Sequence, residues 1–274
     1  MALLELSYLS HAISINTKVM IIVPDGKAPV GGWKTLYLLH GGAEDQTGWL
    51  RQTSIERYAE RRDLVVIMPS GGRMSFWCDM HQGGKYFTFV ADELPEVVGN
   101  MLPISKRRED TFVGGLSMGA YGAARFALSR PEQYGGAIVM SAGNMFDHLD
   151  VGPMLTNSIP EILHTMQGSF GPDYPYLKGT QYDLVYLAKK IIEEGKPCPR
   201  IYHTIGSQDG GYLQTMSMRE YFGSLEGNPF EYTFIEHEGI HNWKYWDTYI
   251  SEGLDYMGLT QRPEPAWGPI LSNK

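Results

Sequence analysis

The chain has 274 residues, of which 43% are hydrophobic and 20% charged, and its formal net charge is −8 at pH 7. This composition is that of a globular protein long enough to bury a core without disulfide bonds, and its acidic balance argues against nucleic acid or an anionic membrane as the main partner. No apolar run approaches the roughly 18 residues of a membrane-spanning helix, and the N-terminal segment lacks the basic region and cleavage site of a signal peptide, so we expect a cytoplasmic protein.

Apolar runs rich in Val, Ile and Tyr alternate along the chain with segments of helical periodicity. Residues 3–24 predict two strands joined by a polar turn. Further strands are predicted at 34–40, 63–69, 110–117, 136–143, 200–209 and 231–237, and helices at 54–62, 92–103, 120–130 and 212–227. Strands that alternate with helices indicate a mostly parallel central sheet with helices on both faces. The sequence therefore predicts a single α/β domain over residues 1–274.

Residues 144–199 interrupt this alternation with a segment rich in Pro, Gly, Tyr and Met. The segment is too long for a simple crossover, because loops between strands and helices usually have about 2–6 residues. We expect helices together with an insertion that precedes the strand at 200–209. The insertion forms either a cap over a pocket or a packed excursion with no role in chemistry, and the sequence leaves both open.

A GxSxG motif, Gly115-Leu116-Ser117-Met118-Gly119, ends a predicted strand and precedes a predicted helix. A serine in a tight strand-to-helix turn needs glycine two positions away on either side, because a Cβ there would collide. The helix that follows points its N-terminal amides towards the centre where negative charge develops. The motif is short enough to arise by chance, but this setting predicts Ser117 as the nucleophile of an α/β-hydrolase.

The predicted strand at 34–40 leads into a His40-Gly41-Gly42 turn. Acyl transfer needs two backbone N–H donors aimed at the developing oxyanion. We expect one from Met118, the residue after the serine, and the other from Gly42. Taken alone, the turn would be an ordinary glycine turn. His40 precedes the nucleophile in the chain and is expected to hold the loop rather than transfer protons.

In α/β-hydrolases the acid and then the histidine follow the serine along the chain. Asp209 ends a predicted strand, at the edge of the sheet where active sites form. His237 and His241 come later, and the position of His241 in a loop before an aromatic helix favours it as the base. Asp183 and Asp247 are the alternative acids.

The remaining histidines show no HxH or HExxH spacing, and the chain has no phosphate-binding or dinucleotide-binding motif. We therefore expect neither a metal nor a cofactor. Cys78 and Cys198 belong to no ligand cluster. They are most simply two free thiols in a reducing compartment, although one disulfide is compatible with the sequence.

Six motifs, YLLHGG, VVIMPSG, GKYFTFVADELP, FVGGLSMGAYGAARFAL, IGSQD and EGIHNWKYW, together resemble the esterase D group. Within it, the chain is most similar to the bacterial tributyrin esterases, which are related to S-formylglutathione hydrolases and to feruloyl and acetyl-xylan esterases. The similarity covers roughly residues 1–255. It implies the α/β-hydrolase fold, hydrolysis of short-chain esters and a homo-oligomer. It also implies the following residues: Ser117, Asp209 and His241 as the catalytic triad, with Gly42 and Met118 as oxyanion donors.

The leading hypothesis is a serine carboxylesterase for small-molecule esters with short acyl chains, among them acetyl or feruloyl esters of carbohydrates. Trp49, Trp77 and Tyr86 either line an acyl or sugar pocket or belong to the core. Cys78 departs from the pattern of the esterase D group, so activity on glutathione thioesters is not carried over. The alternatives are an acyltransferase on the same scaffold and a non-catalytic binding protein, and an intact triad counts against the second.

Overall fold

Eight strands form one sheet in the part of this computed structural model that is described, namely residues 1–60, 62–145, 160–172, 174 and 176–261. The strands are β1 (Ala2–Ser10), β2 (Ile15–Val23), β3 (Lys34–Leu39), β4 (Leu64–Pro69), β5 (Thr111–Leu116), β6 (Gly136–Met140), β7 (Arg200–Gly206) and β8 (Thr233–His237). Their order across the sheet is β1-β2-β4-β3-β5-β6-β7-β8. The β1–β2 and β2–β4 pairs are antiparallel and the other neighbours are parallel, which confirms the predicted mostly parallel sheet.

The inner strands are buried on both faces, as their continuous apolar runs predict. In β3, Leu36 and Leu38 pack into the hydrophobic layer on one side of the sheet, while Tyr37 and Leu39 pack into the layer on the other side. Side chains along a strand alternate between faces, so each apolar run contributes to both layers. Helices cover the two layers and complete the core.

The described helices are α1 (Gly48–Gln52), α2 (Ile55–Glu60), α3 (Tyr86–Thr88), α4 (Leu94–Met101), α5 (Met118–Ser129), α6 (Pro160–Phe170), α7 (Leu184–Glu193), α8 (Tyr212–Ser224) and α9 (Trp243–Tyr256). Of these, α2, α4, α5 and α8 lie close to the four helices predicted from capping and periodicity. A π-helical turn, Phe89–Glu93, joins α3 to α4, so this helical segment starts earlier than the predicted residue 92. None of the described helices is both long and apolar enough to cross a membrane.

The predicted insertion at 144–199 contains α6 and α7. Asp183 caps α7, since its carboxylate accepts the backbone N–H groups of Val185 at 3.0 Å and Tyr186 at 3.2 Å. Residues 146–159 lie outside the described part of the chain. The hypothesis that the insertion caps a pocket depends on them and stays a prediction.

The parallel strands β3, β5, β6, β7 and β8 all end at the same edge of the sheet. In open α/β sheets, functional side chains gather beyond these carboxyl ends. The turn after β3 contains Gly42, and Ser117 directly follows β5. Asp209 follows β7 and His241 follows β8. The topology therefore brings the predicted site residues to one edge, although they are far apart in sequence.

Candidate active site

Ser117 occupies a strained turn between β5 and α5. Its backbone angles are φ 52° and ψ −120°, a region that residues other than glycine rarely adopt. A Cβ on Gly115 would lie 2.4 Å from the carbonyl oxygen of Gly119, and one on Gly119 would lie 2.4 Å from the carbonyl oxygen of Leu39. Both distances are too short for any side chain, so the two glycines of the motif are required by packing.

The His40-Gly41-Gly42 turn lies beside Ser117. A Cβ built on Gly41 would be 3.6 Å from the Cβ of Ser117. Met118 is the first residue of α5, so its N–H has no partner within the helix. The two backbone N–H groups predicted as oxyanion donors, those of Gly42 and Met118, therefore belong to segments that flank the serine.

His40 holds this turn in place, as the sequence predicts. The side chain is 1% exposed, and its Nδ1 lies 2.7 Å from the carbonyl oxygen of Gly41. Its Nε2 lies 2.8 Å from the backbone nitrogen of Gly71, whose N–H can only donate. Nε2 is therefore the acceptor and Nδ1 carries the proton. Burial lowers the pKa of His40, so the ring stays neutral. Its two hydrogen bonds link the segment after β3 to the segment after β4.

Trp49 and Trp77 belong to the core rather than to a substrate pocket. Their exposed fractions are 1% and 0%. The indole N–H of Trp49 donates to the carbonyl oxygen of Leu39 at 3.1 Å, and that of Trp77 donates to the carbonyl oxygen of His40 at 3.2 Å. The two rings thus stabilise the backbone just before the predicted oxyanion donor, a structural role that excludes them as an acyl or sugar platform.

Asp209 and His241 form a hydrogen-bonded pair. The Nδ1 atom of His241 lies 2.9 Å and 3.0 Å from the two carboxylate oxygens of Asp209. The Asp209 side chain is fully buried, whereas that of His241 is 39% exposed. Because Nδ1 donates to the carboxylate, Nε2 of the neutral ring is free to accept a proton.

The carboxylate of Asp209 is surrounded by donors that take the place of water. Burial raises its pKa, but the hydrogen bonds from His241 and from the backbone N–H of Gly211 at 2.7 Å outweigh the effect of burial and hold the pKa of Asp209 below its usual value. The acid is therefore ionised at neutral pH and can stabilise a protonated His241.

The alternative base and acids are engaged elsewhere. The ring of His237 stacks on Tyr249 with 3.8 Å between centroids. Asp247 accepts the backbone N–H of Ser54 at 2.7 Å, and Asp183 caps α7. These contacts give each side chain a structural role, so Asp209 and His241 stay the predicted acid–base pair.

Two further residues lie beside the predicted acid and base, and the sequence predicts no role for either of them: Ser141 belongs to no motif, and Trp246 is the last residue of EGIHNWKYW. Ser141 directly follows β6, and its Oγ accepts the indole N–H of Trp246 at 2.9 Å. The ring of Trp246 also packs edge-on against His241, with 5.0 Å between ring centroids. The one available signal was position, because Ser141 lies at the same sheet edge as Ser117.

The described residues include no group of three or more His, Cys, Asp and Glu side chains that could hold a metal. Cys78 and Cys198 are both free. Burial raises the pKa of the Cys78 thiol to about 12, so it stays protonated and is not a nucleophile. Ser117, on its strained turn, is therefore the predicted nucleophile rather than Cys78.

The sheet order and the strained serine turn are those of the α/β-hydrolase fold. Residues 10–257 match the family Esterase, whose description is "Putative esterase". The chain belongs to this esterase family, as its motifs indicate.

Three similar proteins fit this placement. The acetyl esterase of Caldicellulosiruptor saccharolyticus is 30% identical over 94% of this chain and 98% of its own. The structure of FphF, a fluorophosphonate-binding serine hydrolase of Staphylococcus aureus, superposes with a TM-score of 0.83 at 30% identity, covering 95% of this chain and 99% of that one. The diacylglycerol acyltransferase/mycolyltransferase Ag85A of Mycobacterium bovis is 33% identical over 85% of this chain and 75% of its own.

Proposed function

We propose that this protein is a serine carboxylesterase that hydrolyses short-chain acyl esters through an acyl-enzyme on Ser117. The observation that carries the proposal is that one sheet edge holds both Ser117 on its strained turn and the paired Asp209 and His241. The similarity to an acetyl esterase along nearly the whole chain supports the short acyl group.

In the first half-reaction, the Oγ of Ser117 attacks the ester carbonyl carbon while Nε2 of His241 takes its proton. The N–H groups of Gly42 and Met118 stabilise the oxyanion that forms. The tetrahedral intermediate then collapses, the C–O bond to the alcohol breaks, and His241 returns the proton to the departing oxygen. Asp209 keeps the proton of the neutral ring on Nδ1 and stabilises the imidazolium.

In the second half-reaction, water attacks the acyl-enzyme with His241 again acting as the base, and the carboxylic acid is released. The 39% exposure of the His241 side chain supports hydrolysis, because bulk water can reach the base. Transfer to an alcohol is the second candidate, and the similarity to Ag85A favours it to a lesser extent. Product analysis with an added alcohol separates the two, since a transferase would form the new ester in preference to the free acid.

The proposal extends to the substrate, the compartment and the oligomeric state. The proposed substrates are small uncharged esters, including acetyl or feruloyl groups on carbohydrates, because the chain has a net charge of −8 and no metal-binding motif. The two free cysteines support a reducing, cytoplasmic compartment. A homo-oligomer is expected from the family resemblance, and sedimentation of the purified protein tests it.

The test of this function is hydrolysis of nitrophenyl esters from acetate to octanoate by the wild type and Ser117→Ala. We expect activity that is highest on the shortest chains and a loss of at least about 10³-fold in the variant. Ser224→Ala, at the exposed end of α8, is the matched control and should behave as wild type. Equal turnover by Ser117→Ala and wild type would overturn the proposal.

A further inference from the structure

We infer that the outer edge of β1 binds a second copy of this chain, with the two β1 strands paired antiparallel about a two-fold axis at Leu6. The inference rests on the homo-oligomer of the proposed function and names its surface, but it is independent of the ester reaction. It is supported by exposed apolar side chains on the last strand of the sheet and by a strand sequence that is complementary to itself.

β1 (Ala2–Ser10) is the last strand on one side of the sheet. All 9 of its residues pair with β2, from Ala2 opposite Val23 to Ser10 opposite Ile15. In the part of the chain that the structure describes, no strand pairs with the other edge of β1. The backbone N–H and C=O groups that point away from β2 therefore form a row to which another strand can bind.

Large apolar side chains are exposed along this strand and at the start of the next. Leu3 is 47% exposed, Leu4 37% and Leu9 55%. Leu3 and Leu9 lie on one face of the strand and Leu4 lies on the other, because side chains along a strand alternate. Ile15, opposite Ser10 in β2, is 52% exposed. Apolar groups concentrated beside one strand edge favour a protein interface there.

The sequence of β1 lacks the features that keep an edge strand from pairing. Natural proteins protect such edges with lysine, proline or a bulge. β1 contains neither lysine nor proline, and its register with β2 is continuous, without a bulge. Its single charged side chain, Glu5, is paired with Lys18 of β2, whose Nζ lies 2.8 Å from the carboxylate. The edge is therefore suited to forming a ladder with another strand.

A second copy is the partner because the strand, ALLELSYLS, is complementary to itself. The axis of such an antiparallel pair must lie at a residue, since alternate residues direct their backbone groups to the same edge. With the axis at Leu6, residues at equal distances from it lie opposite each other. Leu3 then contacts the partner's Leu9 on one face, and Leu4 contacts the partner's Tyr8 on the other. The exposed leucines of both faces are covered, and the whole strand is paired.

Charge favours this register over its neighbours. With the axis at Leu6, Glu5 lies opposite the partner's Ser7, whose hydroxyl can donate to the carboxylate. An axis at Glu5 would place two carboxylates directly opposite each other, which destabilises an antiparallel pair. An axis at Ser7 would place Glu5 opposite Leu9 and leave Leu3 without an opposite residue. The axis at Leu6 satisfies the charged and the apolar positions together.

This interface lies away from the candidate active site. Ser117 directly follows β5, and the strands β2, β4 and β3 separate β5 from β1 in the sheet. Pairing at β1 joins two eight-stranded sheets into one and leaves the carboxyl ends of β5, β7 and β8 uncovered by this contact. Substitutions in β1 should therefore change assembly without changing the site.

The register is tested by disulfide cross-linking of the full chain with oxidised glutathione. The background is Cys198→Ser, because Cys198 is partly exposed whereas Cys78 is buried. Leu3→Cys/Leu9→Cys should give a covalent dimer on a non-reducing gel, since each cysteine faces the other position in the partner. Neither single variant should cross-link, because equivalent positions would lie about 20 Å apart along the ladder. Leu4→Cys/Leu9→Cys, with side chains on opposite faces, is the matched control and should stay monomeric.

Sedimentation tests the pairing without a covalent bond. We expect wild type to sediment as a dimer or a larger even-numbered oligomer. Leu3→Lys/Leu9→Lys places lysine opposite lysine twice, whereas Leu3→Lys/Leu9→Glu carries as many charges but places opposite charges together. The dimer dissociation constant of the first variant should exceed that of the second by about tenfold or more. Circular dichroism checks that both variants are folded.

Three results would each overturn the inference. They are a wild type that sediments as a monomer, a Leu4→Cys/Leu9→Cys variant that cross-links as well as Leu3→Cys/Leu9→Cys, and equal dissociation constants for the two charge variants. An oligomer that gives either of the last two results assembles through another surface, so the proposed homo-oligomer would stand without this interface. Failure of the proposed esterase is seen separately, in Ser117→Ala that turns over esters as well as wild type.

Discussion

The nucleophile side and the acid–base side of the site are held in place by different forces. Around Ser117 the constraints are backbone contacts, with Gly119 so close to Leu39 that a Cβ would lie 2.4 Å from its carbonyl oxygen. Around Asp209 and His241 the constraints are side-chain hydrogen bonds. A closely packed backbone has no room for an added atom. Hydrogen bonds can instead be removed one at a time, and they depend on the protonation state of their partners and so on pH.

The acid–base side is tested most strongly by Asp209→Asn. An asparagine amide is uncharged and can donate to Nδ1 as well as accept from it. The proton of the neutral His241 ring is then no longer held on Nδ1, and the protonated ring loses the negative charge that stabilises it. We expect kcat to fall by about 10³-fold or more in steady-state hydrolysis of nitrophenyl acetate. Asp247→Asn is the matched control, since that carboxylate accepts the N–H of Ser54, and it should keep at least half the activity. Equal losses in both variants would contradict the assignment.

The nucleophile side is tested by Gly119→Ala. The added methyl group would lie 2.4 Å from the carbonyl oxygen of Leu39 and 2.6 Å from that of His40, so the serine turn must shift. We expect a loss of kcat of about 10²-fold and a decrease of about 1–3 kcal/mol in the free energy of unfolding, measured by urea denaturation.

Gly99→Ala provides the control for this substitution. Gly99 lies in α4 with no atom within 4 Å of its Cβ position. Alanine should raise the free energy of unfolding by about 0.5–1 kcal/mol and leave activity unchanged. If Gly119→Ala is as active as Gly99→Ala, close backbone packing does not hold the nucleophile turn.

β7, the strand that leads to Asp209, contains a buried histidine that makes the free energy of unfolding depend on pH. His203, in β7, is fully buried between the carbonyl oxygen of Ala142 at 2.8 Å and the hydroxyl of Tyr232 at 2.9 Å. Burial lowers its pKa to about 4 from 6.5. The unfolded chain therefore binds a proton that the folded chain excludes as pH falls through this interval, and the contribution to stability is complete above pH 6.5.

We expect the free energy of unfolding to decrease by about 3 kcal/mol from this group between pH 6.5 and pH 4. Urea denaturation at several pH values, compared between wild type and His203→Gln, isolates it from the titration of carboxylates. The variant should show a flatter dependence in this range. Parallel curves for the two proteins would show that His203 is not the group responsible.

The smallest effect is expected for His237→Gln. This ring stacks on Tyr249, away from Asp209, so kcat/KM should change by less than about twofold. His241→Gln in the same assay should lose about 10³-fold, because the base is removed. A large loss in His237→Gln together with an active His241→Gln would reverse the assignment of the base.

Sequence patterns predicted the strands, which have a regular apolar pattern, and the catalytic candidates, whose chemistry requires particular neighbours. The strands could be located because burial on both faces requires continuous apolar runs, as in β3 and β4. Ser117 could be located because its turn requires glycine at positions 115 and 119. His241 was favoured over His237 by its loop position and by the family resemblance, and the hydrogen bond to Asp209 supports that choice.

Contacts between single residues far apart in the chain could not be predicted. Ser141 and Trp246 meet because β6 ends beside the start of α9; Ser141 belongs to no motif, and the motif EGIHNWKYW that ends at Trp246 does not indicate what this ring contacts. The burial of Trp49 and Trp77 likewise depends on which way the loops turn after β3 and β4. An aromatic residue near a site has the same sequence appearance whether it faces the substrate or the core.

The central claim is that Ser117 is the nucleophile, and the most direct measurement is mass spectrometry of the protein after reaction with a fluorophosphonate. Phosphonylation requires an activated serine, so the reagent reports on the chemistry without knowledge of the natural ester. We predict one adduct, on the peptide containing Ser117, formed much more slowly in His241→Gln and absent in Ser117→Ala. An adduct on another residue, or one that persists in Ser117→Ala, would contradict the account.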